Sequence, residues 1–416
     1  VQGPRLPVLF SASPFPELSM PSSTPTSALE RAKSFHAELI DIRRDIHAHP
    51  ELGLETHRTA DIVAGLLESW GIEVHRMVDG AGVVGVLRNG NGPKSVGLRA
   101  DMDALPILEA TGKGYQSGNA GVMHACGHDG HTTMLLGAAR YLAETRDFTG
   151  TVNFIFQPGE EGMGGALAML EEGLFEKFPC DEIYGMHNRP GAPLGHFSIT
   201  PGTGMTGGGF FDITVTGSGS HGARPNFGID PVIAACHIGT ALQTVVSRNL
   251  VPGDLGVLSV TQIKAGDAYN VIPERAVMSG TMRAMRRETL ELMEAGMRRV
   301  VDGVASGLGA TAEVDFRLLF APLINAPEAM VAMADTAAEL VGEDKVDRNK
   351  PPAPASEDFS FMLEKVPGAF LFVGNGEDSA PVHNDRYDFN DDGIPFGAAL
   401  WSRLVERTMT AQTGDQ

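Results

Sequence analysis

The chain has few cysteines and few basic residues, and it lacks a long apolar run. Its three cysteines, Cys126, Cys180 and Cys236, cannot form a disulfide framework, which favours a reducing cytoplasm over secretion. Lys and Arg total 32 against 52 Asp and Glu, so the formal net charge is −20. This acidity disfavours binding to nucleic acid or to an anionic membrane. No run reaches the ~18–20 apolar residues of a membrane span.

The N-terminal segment lacks the apolar core of a signal peptide. Its first nineteen residues contain four prolines, one arginine and only a very short apolar stretch. We expect residues 1–26 to be a disordered leader, an upstream extension of a chain that begins at Met20. A processed targeting segment is the alternative.

Length and patterning predict a two-domain α/β protein. At 416 residues the chain is too long for one ordinary core, and 51 glycines suit a loop-rich α/β enzyme. Helical periodicity runs from Ser27 to Pro50 and from Thr56 to Trp70, and β-rich runs and helices then alternate up to Met186. This alternation predicts a mainly parallel sheet within a mixed-sheet catalytic domain that has helices on both faces.

A second domain is predicted to be inserted into the first. The glycine-rich segment 201–209 is a hinge candidate, and the pattern after it is β-α-β-β-α-β, which is typical of a small α+β unit of ferredoxin-like type. The α/β pattern then resumes up to a last helix near 397–407. We predict a catalytic domain formed by 27–203 and 320–416, and an inserted domain formed by 204–319.

Five polar clusters follow apolar runs, where strand ends converge on one crevice of an open α/β sheet. A thiol, several imidazoles and adjacent carboxylates delivered in this way describe a two-metal hydrolase. The clusters are Asp101 with Asp103, Cys126 with His128, Glu160 with Glu161, His187, and His383.

Each cluster also has an ordinary structural interpretation. Cys126 could be a buried, inert thiol, and a single histidine such as His187 or His383 is more often structural or solvated. Adjacent glutamates are usually solvated, but here the turn after the strand allows one to bind metal while the other acts as general base. The two aspartates could orient a ligand imidazole or serve only in a local turn or cap.

The order of motifs resembles the aminoacylase/hippurate hydrolase group of dimetal peptidases, which includes the auxin-amino-acid conjugate hydrolases. The similarity runs from about residue 30 to the C-terminus. It is carried by RRDIHAHPELG, GLRADMDALP, HACGHDGH, FQPGEEG, YGMHNRP, GSGSHGARP, YNVIP, SEDFS and HNDRYDFND. The resemblance implies that the inserted domain is a lid or dimerisation domain and that the chain forms a homodimer or homotetramer.

The resemblance also implies a role for each candidate residue. Glu160 is the general base, and Asp103 supports a residue of the metal site. Cys126 stands where related carboxypeptidases use a bridging aspartate, so the preferred metal is Mn or Zn, with Co or Ni as alternatives. Two divalent ions per subunit are bound by Cys126, His128, Glu161, His187 and His383.

Three residues of the inserted domain complete the implied site. His221 reaches the active site of a neighbouring subunit and stabilises the oxyanion. Asn270 and Arg283 bind the carboxylate of the substrate or its amide-side oxygens, and arginine suits a carboxylate through its bidentate fork. An ordinary surface arginine at a strand end is the alternative for Arg283.

We therefore expect a metal-dependent amidohydrolase that cleaves N-acyl amino acids of the hippurate or N-acetyl type, with a water activated by the metals and deprotonated by Glu160. Within the same chemistry, a dipeptidase, a carboxypeptidase or a deacetylase of an amino-acid intermediate is the alternative. A thiol hydrolase with Cys126 as nucleophile is a different class. A non-catalytic metal-binding protein is disfavoured by the intact Glu160–Glu161 pair.

Overall fold

The computed structural model describes residues 27–410, and the predicted leader 1–26 lies outside this range. The strands are, in chain order, β1 (Glu73–Met77), β2 (Gly82–Asn89), β3 (Ser95–Asp101), β4 (Gly150–Gln157), β5 (Glu182–Arg189), β6 (Phe197–Ile199), β7 (Thr203–Met205), β8 (Gly207–Thr216), β9 (Ser220–His221), β10 (Gly256–Ala265), β11 (Val271–Ile272), β12 (Arg275–Ala284), β13 (Thr311–Phe320), β14 (Leu323–Ile324), β15 (Val346–Asp347) and β16 (Gly368–Gly374). The helices are α1 (Ala28–Ser34), α2 (His36–Ala48), α3 (His57–Ser69), α4 (His128–Thr145), α5 (Gly165–Glu171), α6 (Leu174–Lys177), α7 (Pro231–Asn249), α8 (Arg287–Gly307), α9 (Pro327–Val341), α10 (Phe359–Leu363) and α11 (Ile394–Thr408). None of the helices within 27–410 has both the length and the apolar composition needed to cross a membrane.

The larger sheet has eight strands in the order β1-β2-β4-β3-β5-β16-β6-β15. Its four central strands, β4, β3, β5 and β16, are parallel to one another. The β1–β2, β2–β4 and β6–β16 pairs are antiparallel. For β1 and β2 this follows from the short connection between them, which allows only a hairpin. The mixed sheet is therefore confirmed, and the parallel arrangement predicted from the alternating pattern describes its centre.

Helices cover both faces of this sheet, as predicted. On one face, α4 and α11 pack together and are joined by α1, α2 and α9. On the other face, α5, α6 and α10 pack over a separate apolar cluster. Helix α4 is buried along most of its length, since it lies between the sheet and other helices. Its N-terminus is consequently fixed at the edge where the parallel strands end.

The inserted unit is a four-stranded antiparallel sheet in the order β10-β12-β8-β13, and α7 and α8 pack on one face of it. Residues of β12 alternate between buried and less buried positions. This alternation is expected of a strand that packs one of its two faces against a core. The predicted β-α-β-β-α-β order is present, whereas the boundaries 204 and 319 remain a prediction. The chain enters the unit beside β7 and leaves it beside β14, and these two strands pair with each other.

One local prediction differs from the structure. The first helix is interrupted at Phe35, which has φ −112° and ψ 17° and is buried. The guanidinium groups of Arg31 and Arg140 lie 5.5 and 4.6 Å from the centroid of its ring. The hinge candidate 201–209 contains β7 and the start of β8, and its role as a hinge stays a prediction. Glycine is required at 208 and 209, because a Cβ there would collide with the backbone of a neighbouring strand.

Candidate active site and metal centre

The candidate residues meet at one edge of the larger sheet. Asp101 ends β3, Glu160 follows β4 within a short turn, His187 lies in the last part of β5, and His383 lies in the loop after β16. These four strands are parallel neighbours, so their carboxyl ends share this edge. Cys126 reaches the same place from the loop before α4. The convergence predicted from the polar clusters is present.

All five predicted metal ligands lie close together. The Cys126 sulfur is 3.3 Å from Nε2 of His187, and Nε2 of His383 is 3.1 Å from Oε1 of Glu161. Cys126 can share an ion with His128 and His187, and it can share another with Glu161 and His383, since the donor atoms of each group lie within 4.8 Å of one another. Cys126 belongs to both groups, as a residue that bridges two ions must.

The side chains fit divalent metal ions. Both ring nitrogens of His128 and the Oε1 atom of Glu161 are buried and form no well-aligned hydrogen bond in the described part of the chain, although Asp103 lies 3.3 Å from Nδ1 of His128 and His383 lies 3.1 Å from Oε1 of Glu161. Burying polar atoms without a partner costs about 1–3 kcal/mol for each group, so such atoms call for a ligand. Thiolate, imidazole and carboxylate together suit first-row divalent ions.

The electrostatics of the site favour positive charge. Burial alone would lower the pKa of His128, but Asp101, Asp103 and Glu161 raise it to about 10. Burial and the neighbouring His131 lower the pKa of His187 to about 3, so this imidazole is neutral and available as a ligand. The carboxylates around His128 therefore stabilise a cation, and a bound metal would supply one.

Glu160 is a buried carboxyl group that faces the cavity beside the ligands. Its backbone N–H donates to Oδ1 of Asp103 at 3.0 Å, and its Oε1 accepts from the backbone N–H of Asp358 at 3.4 Å. Burial raises the pKa of Glu160 well above its usual range, and the nearby carboxylates of Glu357 and Glu161 add to this effect. A carboxyl group with a raised pKa is suited to accept and return a proton near neutral pH.

Asp103 and Asp101 have different partners. Asp103 accepts the backbone N–H groups of both Glu160 and Glu161, and its Oδ1 lies 3.3 Å from Nδ1 of His128. Asp101 instead lies 2.6 Å from Nδ1 of His131, a histidine outside the predicted ligand set. The Oδ2 atom of Asp101 is 3.8 Å from Nε2 of His128.

A hydrogen-bonded chain of residues that the sequence prediction missed fixes the ligand loop. Nε2 of His131 accepts from the backbone N–H of Asn188, and the Asn188 amide donates to the carbonyl oxygen of Cys126 at 2.6 Å. The Tyr387 hydroxyl donates to Oδ1 of Asn188 at 2.9 Å. His131 was recognisable as a histidine one turn after His128, but Asn188 and Tyr387 carried no comparable signal.

A second missed group lies beside Glu160. The buried Arg99 guanidinium contacts the carboxylates of Asp101, Glu357 and Asp358 at 2.8, 3.0 and 3.1 Å. Carboxylate oxygens of Glu160, Glu357 and Asp358 lie within 4.8 Å of one another. The adjacent acids in SEDFS and the arginine in GLRAD are the sequence signals for this group.

A cavity of about 920 Å³ opens beside the candidate ligands. Arg283, from the inserted unit, lines it as predicted for a substrate-binding residue. His221 and Asn270 do not line it, because they are exposed residues in and beside the two-stranded antiparallel ladder of β9 and β11. Within one chain, the structure brings Arg283 to the site but not the other two. The apolar part of the lining includes Met205, Phe210, Leu319, Phe320, Phe372 and Val382.

The chain is similar to known proteins in both sequence and fold. Hippurate hydrolase of Campylobacter jejuni is 42% identical over 88% of this chain and 96% of its own length. N-acetylcysteine deacetylase of Bacillus subtilis is 36% identical over 90% of this chain and 97% of its own. A crystal structure from Bacillus subtilis, described as a dinuclear metal-binding peptidase of the M20 family, has a TM-score of 0.78 and 33% identity, and it covers 91% of this chain and 99% of its own. The family model for peptidase family M20/M25/M40 matches residues 97–407. The chain therefore belongs to peptidase family M20/M25/M40.

Proposed function

We propose that this enzyme hydrolyses the amide bond of N-acyl amino acids to a carboxylic acid and an amino acid. The observation that carries this proposal is Glu160, a buried carboxyl group that faces the cavity beside five clustered metal-ligand candidates. The names of the two relatives, a hippurate hydrolase and an N-acetylcysteine deacetylase, both describe cleavage of N-acyl amino acids. Both names therefore support the predicted activity class, which is amide hydrolysis of N-acyl amino acids.

Two divalent ions per subunit fit the donor set, and the related dinuclear structure supports this number. We propose Mn or Zn, with Co or Ni as alternatives, bound by Cys126, His128, Glu161, His187 and His383. Such ions lower the pKa of water and polarise the acyl carbonyl when they are bound. Cys126 would be the ligand shared by the two ions.

Glu160 acts in both halves of the proposed reaction. As the general base it takes a proton from the water that attacks the acyl carbonyl, and as the general acid it gives this proton to the departing amine. Its raised pKa allows both steps near neutral pH. Asp103 accepts from the backbone N–H of Glu160, and the backbone N–H of Asp358 donates to the Glu160 carboxyl group, so both the backbone and the side chain are held in place.

The test combines metal analysis with a substrate panel. Purified active enzyme should contain close to two transition ions per chain, lose activity with a chelator and recover it with added metal. Hippurate, N-acetyl amino acids and dipeptides should then be compared by kcat/KM. Active protein without bound metal would contradict the metal site. A marked preference for dipeptides would favour the dipeptidase or carboxypeptidase alternative.

We also propose that a second subunit completes the site, as a homodimer or homotetramer in which His221 reaches the neighbouring active site. Strand β10 is an edge of the four-stranded sheet, and Val257 and Ile263 on it are 45% and 50% exposed. A long edge strand with exposed apolar side chains favours pairing between copies. His221 is itself exposed and lies outside the cavity of its own chain.

Co-expression of two inactive variants tests this exchange. In a mixed dimer of Glu160→Gln and His221→Ala chains, one site would contain both wild-type residues, so random pairing should restore about a quarter of the wild-type activity. No restoration would place His221 outside the neighbouring site. Sedimentation analysis gives the oligomeric state in the same material.

We also propose a cytoplasmic location, because three free cysteines suit a reducing compartment.

A further inference from the structure

We propose that Lys350 binds the carboxylate of the amino-acid portion of the substrate. The inference rests on the proposed function, because only an N-acyl amino acid or a peptide carries this carboxylate beside the scissile amide. It adds a cation from the larger-sheet part of the chain to Arg283, which comes from the inserted unit.

Lys350 is a buried cation in the wall of the active-site cavity. Only 7% of the residue is exposed, and its Nζ donates to the carbonyl oxygen of the adjacent Pro351 at 3.2 Å. Within residues 27–410 it forms no ion pair with a carboxylate. An ammonium group has three donors, so two remain for an acceptor that enters the cavity. A buried charge without a partner is costly, which favours an anionic ligand here.

The position of the ammonium group is fixed from both ends of the side chain. The backbone N–H of Lys350 donates to the carbonyl oxygen of Ile199 at 3.1 Å, which continues the pairing of β15 with β6. Its Nζ lies 4.4 Å from the centroid of the Phe372 ring. Phe372 is paired with His187 across β16 and β5, and their ring centroids are 6.3 Å apart. One aromatic ring therefore separates the ammonium group from a candidate metal ligand.

Two further cations line the same cavity without a carboxylate partner in the described part of the chain. Arg189 donates to the hydroxyl of Ser198 at 3.2 Å, and Arg283 donates to backbone carbonyl groups. The chain has a net charge of −20, so acidic side chains are abundant. Its composition therefore does not explain why Lys350, Arg189 and Arg283 lie in one cavity without carboxylate partners. They indicate that the cavity receives a negatively charged ligand.

The α-carboxylate is the anionic group that all N-acyl amino acids share. It is attached one carbon from the amide nitrogen, so it remains close to the reacting centre whichever acyl group is present. The carboxylates of Glu160, Glu161 and Glu357 line the metal side of the cavity and would repel it. Lys350 offers a compact positive charge on the wall formed by Phe372 of β16 and the loop that follows β15.

The test compares hippurate with hippuramide, which has the same benzoyl group but a neutral amide in place of the carboxylate. In the metal-loaded enzyme, Lys350→Met should lower kcat/KM for hippurate roughly 10- to 100-fold, mainly through KM, and should change hippuramide cleavage by no more than about twofold. Lys350→Arg should keep most of the preference for hippurate, because it keeps the positive charge. Release of benzoate measures both reactions.

Lys365→Met removes an exposed lysine and serves as the matched control. The melting temperature of each variant verifies that it is folded. An equal loss on the two substrates would overturn the inference, since it would show a structural role, and so would an unchanged preference for hippurate. If the wild type cleaves other N-acyl amino acids better, the best of them and its carboxamide replace this pair. Wild-type enzyme that cleaves no N-acyl amino acid at all would overturn the proposed function itself.

Discussion

Asp103 accepts a hydrogen bond from the backbone N–H of Glu160, with 3.0 Å between Oδ1 and the nitrogen. The other oxygen of the same carboxylate accepts from the next residue, Glu161, also at 3.0 Å. One aspartate, two residues after the end of β3, therefore fixes the backbone of both the proposed base and a proposed ligand. Its contact with His128 links this turn to the start of α4.

Asp103→Asn should impair both metal binding and catalysis. An asparagine keeps one acceptor oxygen but places an N–H₂ group against a backbone N–H, so the turn at Glu160 must move. Loss of a partner that orients a ligand typically costs 10- to 100-fold in metal affinity or activity, and we expect a decrease of roughly this size. Metal titration and kcat/KM at saturating metal measure the two effects. Asp302→Asn, on the exposed surface of α8, should leave both unchanged.

Glu160→Gln should lower kcat by roughly 10²- to 10⁴-fold while the metal content stays at the wild-type value, since Gln cannot transfer the proton. The control is Glu171→Gln, which changes an exposed glutamate at the end of α5. Metal analysis and steady-state kinetics on the same preparations separate the two effects. Full turnover by the Glu160 variant with normal metal content would reject its role as base.

Replacement of Cys126 separates a metal ligand from a thiol nucleophile. Burial raises the pKa of the Cys126 thiol well above its usual range, and the carboxylates of Glu161 and Glu160 add to this, which disfavours a free thiolate nucleophile. We expect Cys126→Asp to keep metal-dependent activity within roughly tenfold of the wild type, because a carboxylate can also bridge two ions.

Cys126→Ala, which offers no ligand atom, should lose metal and activity together. The exposed Cys236→Ala is the control. Complete inactivity of the aspartate variant, with its metals still bound, would instead support the thiol mechanism.

His47 should make the stability of the protein depend on pH. Burial alone would lower its pKa, but the hydrogen bond to Asp129 at 2.8 Å and the attraction of that carboxylate raise the pKa to about 9. The protonated form therefore stabilises the fold below pH ~6.5, and this contribution is lost as the pH rises through 9. A shift from 6.5 to about 9 corresponds to about 3 kcal/mol at most.

Urea denaturation of the metal-free protein in chelator tests this dependence. The free energy of unfolding of the wild type should exceed that of His47→Gln at pH 6, and the difference should shrink by pH 9.5. Comparison of the two proteins removes the pH dependence of all other groups. If the free energies of unfolding of the two proteins differ by the same amount at every pH in this range, His47 does not change its protonation on folding.

The parts of the site that follow from local pattern could be predicted from the sequence. Glu161 comes shortly after an apolar run and His187 lies within one, and the ends of parallel strands share one edge of the sheet. Cys126 lies in the loop before α4, where the neighbouring histidines were the signal. The choice of Glu160 as base depended on family resemblance, since either glutamate of the pair could have bound metal. The ferredoxin-like order was readable because each of its strands is ten residues long.

Contacts between distant segments could not be predicted. Arg99 and Asp358 are separated by 259 positions, and Asn188 and Tyr387 by 199. Their partnership depends on packing that no local pattern encodes. Lys350 is similar, because it lies in the loop after the two-residue strand β15, where no alternating pattern indicates which residues are buried. The break at Phe35 was missed because helical periodicity continues on both sides of it.

The pairing of β7 with β14 has a mechanical consequence. Both connections of the inserted unit pass through this narrow ladder, with Met205 opposite Leu323 and Thr203 opposite Ile324. A swing of the unit about that neck would leave the eight-stranded sheet intact and move Arg283 relative to Glu160. Since Met205 of this ladder also lines the active-site cavity, one short pivot at the cavity wall can govern substrate entry and closure of the reaction chamber.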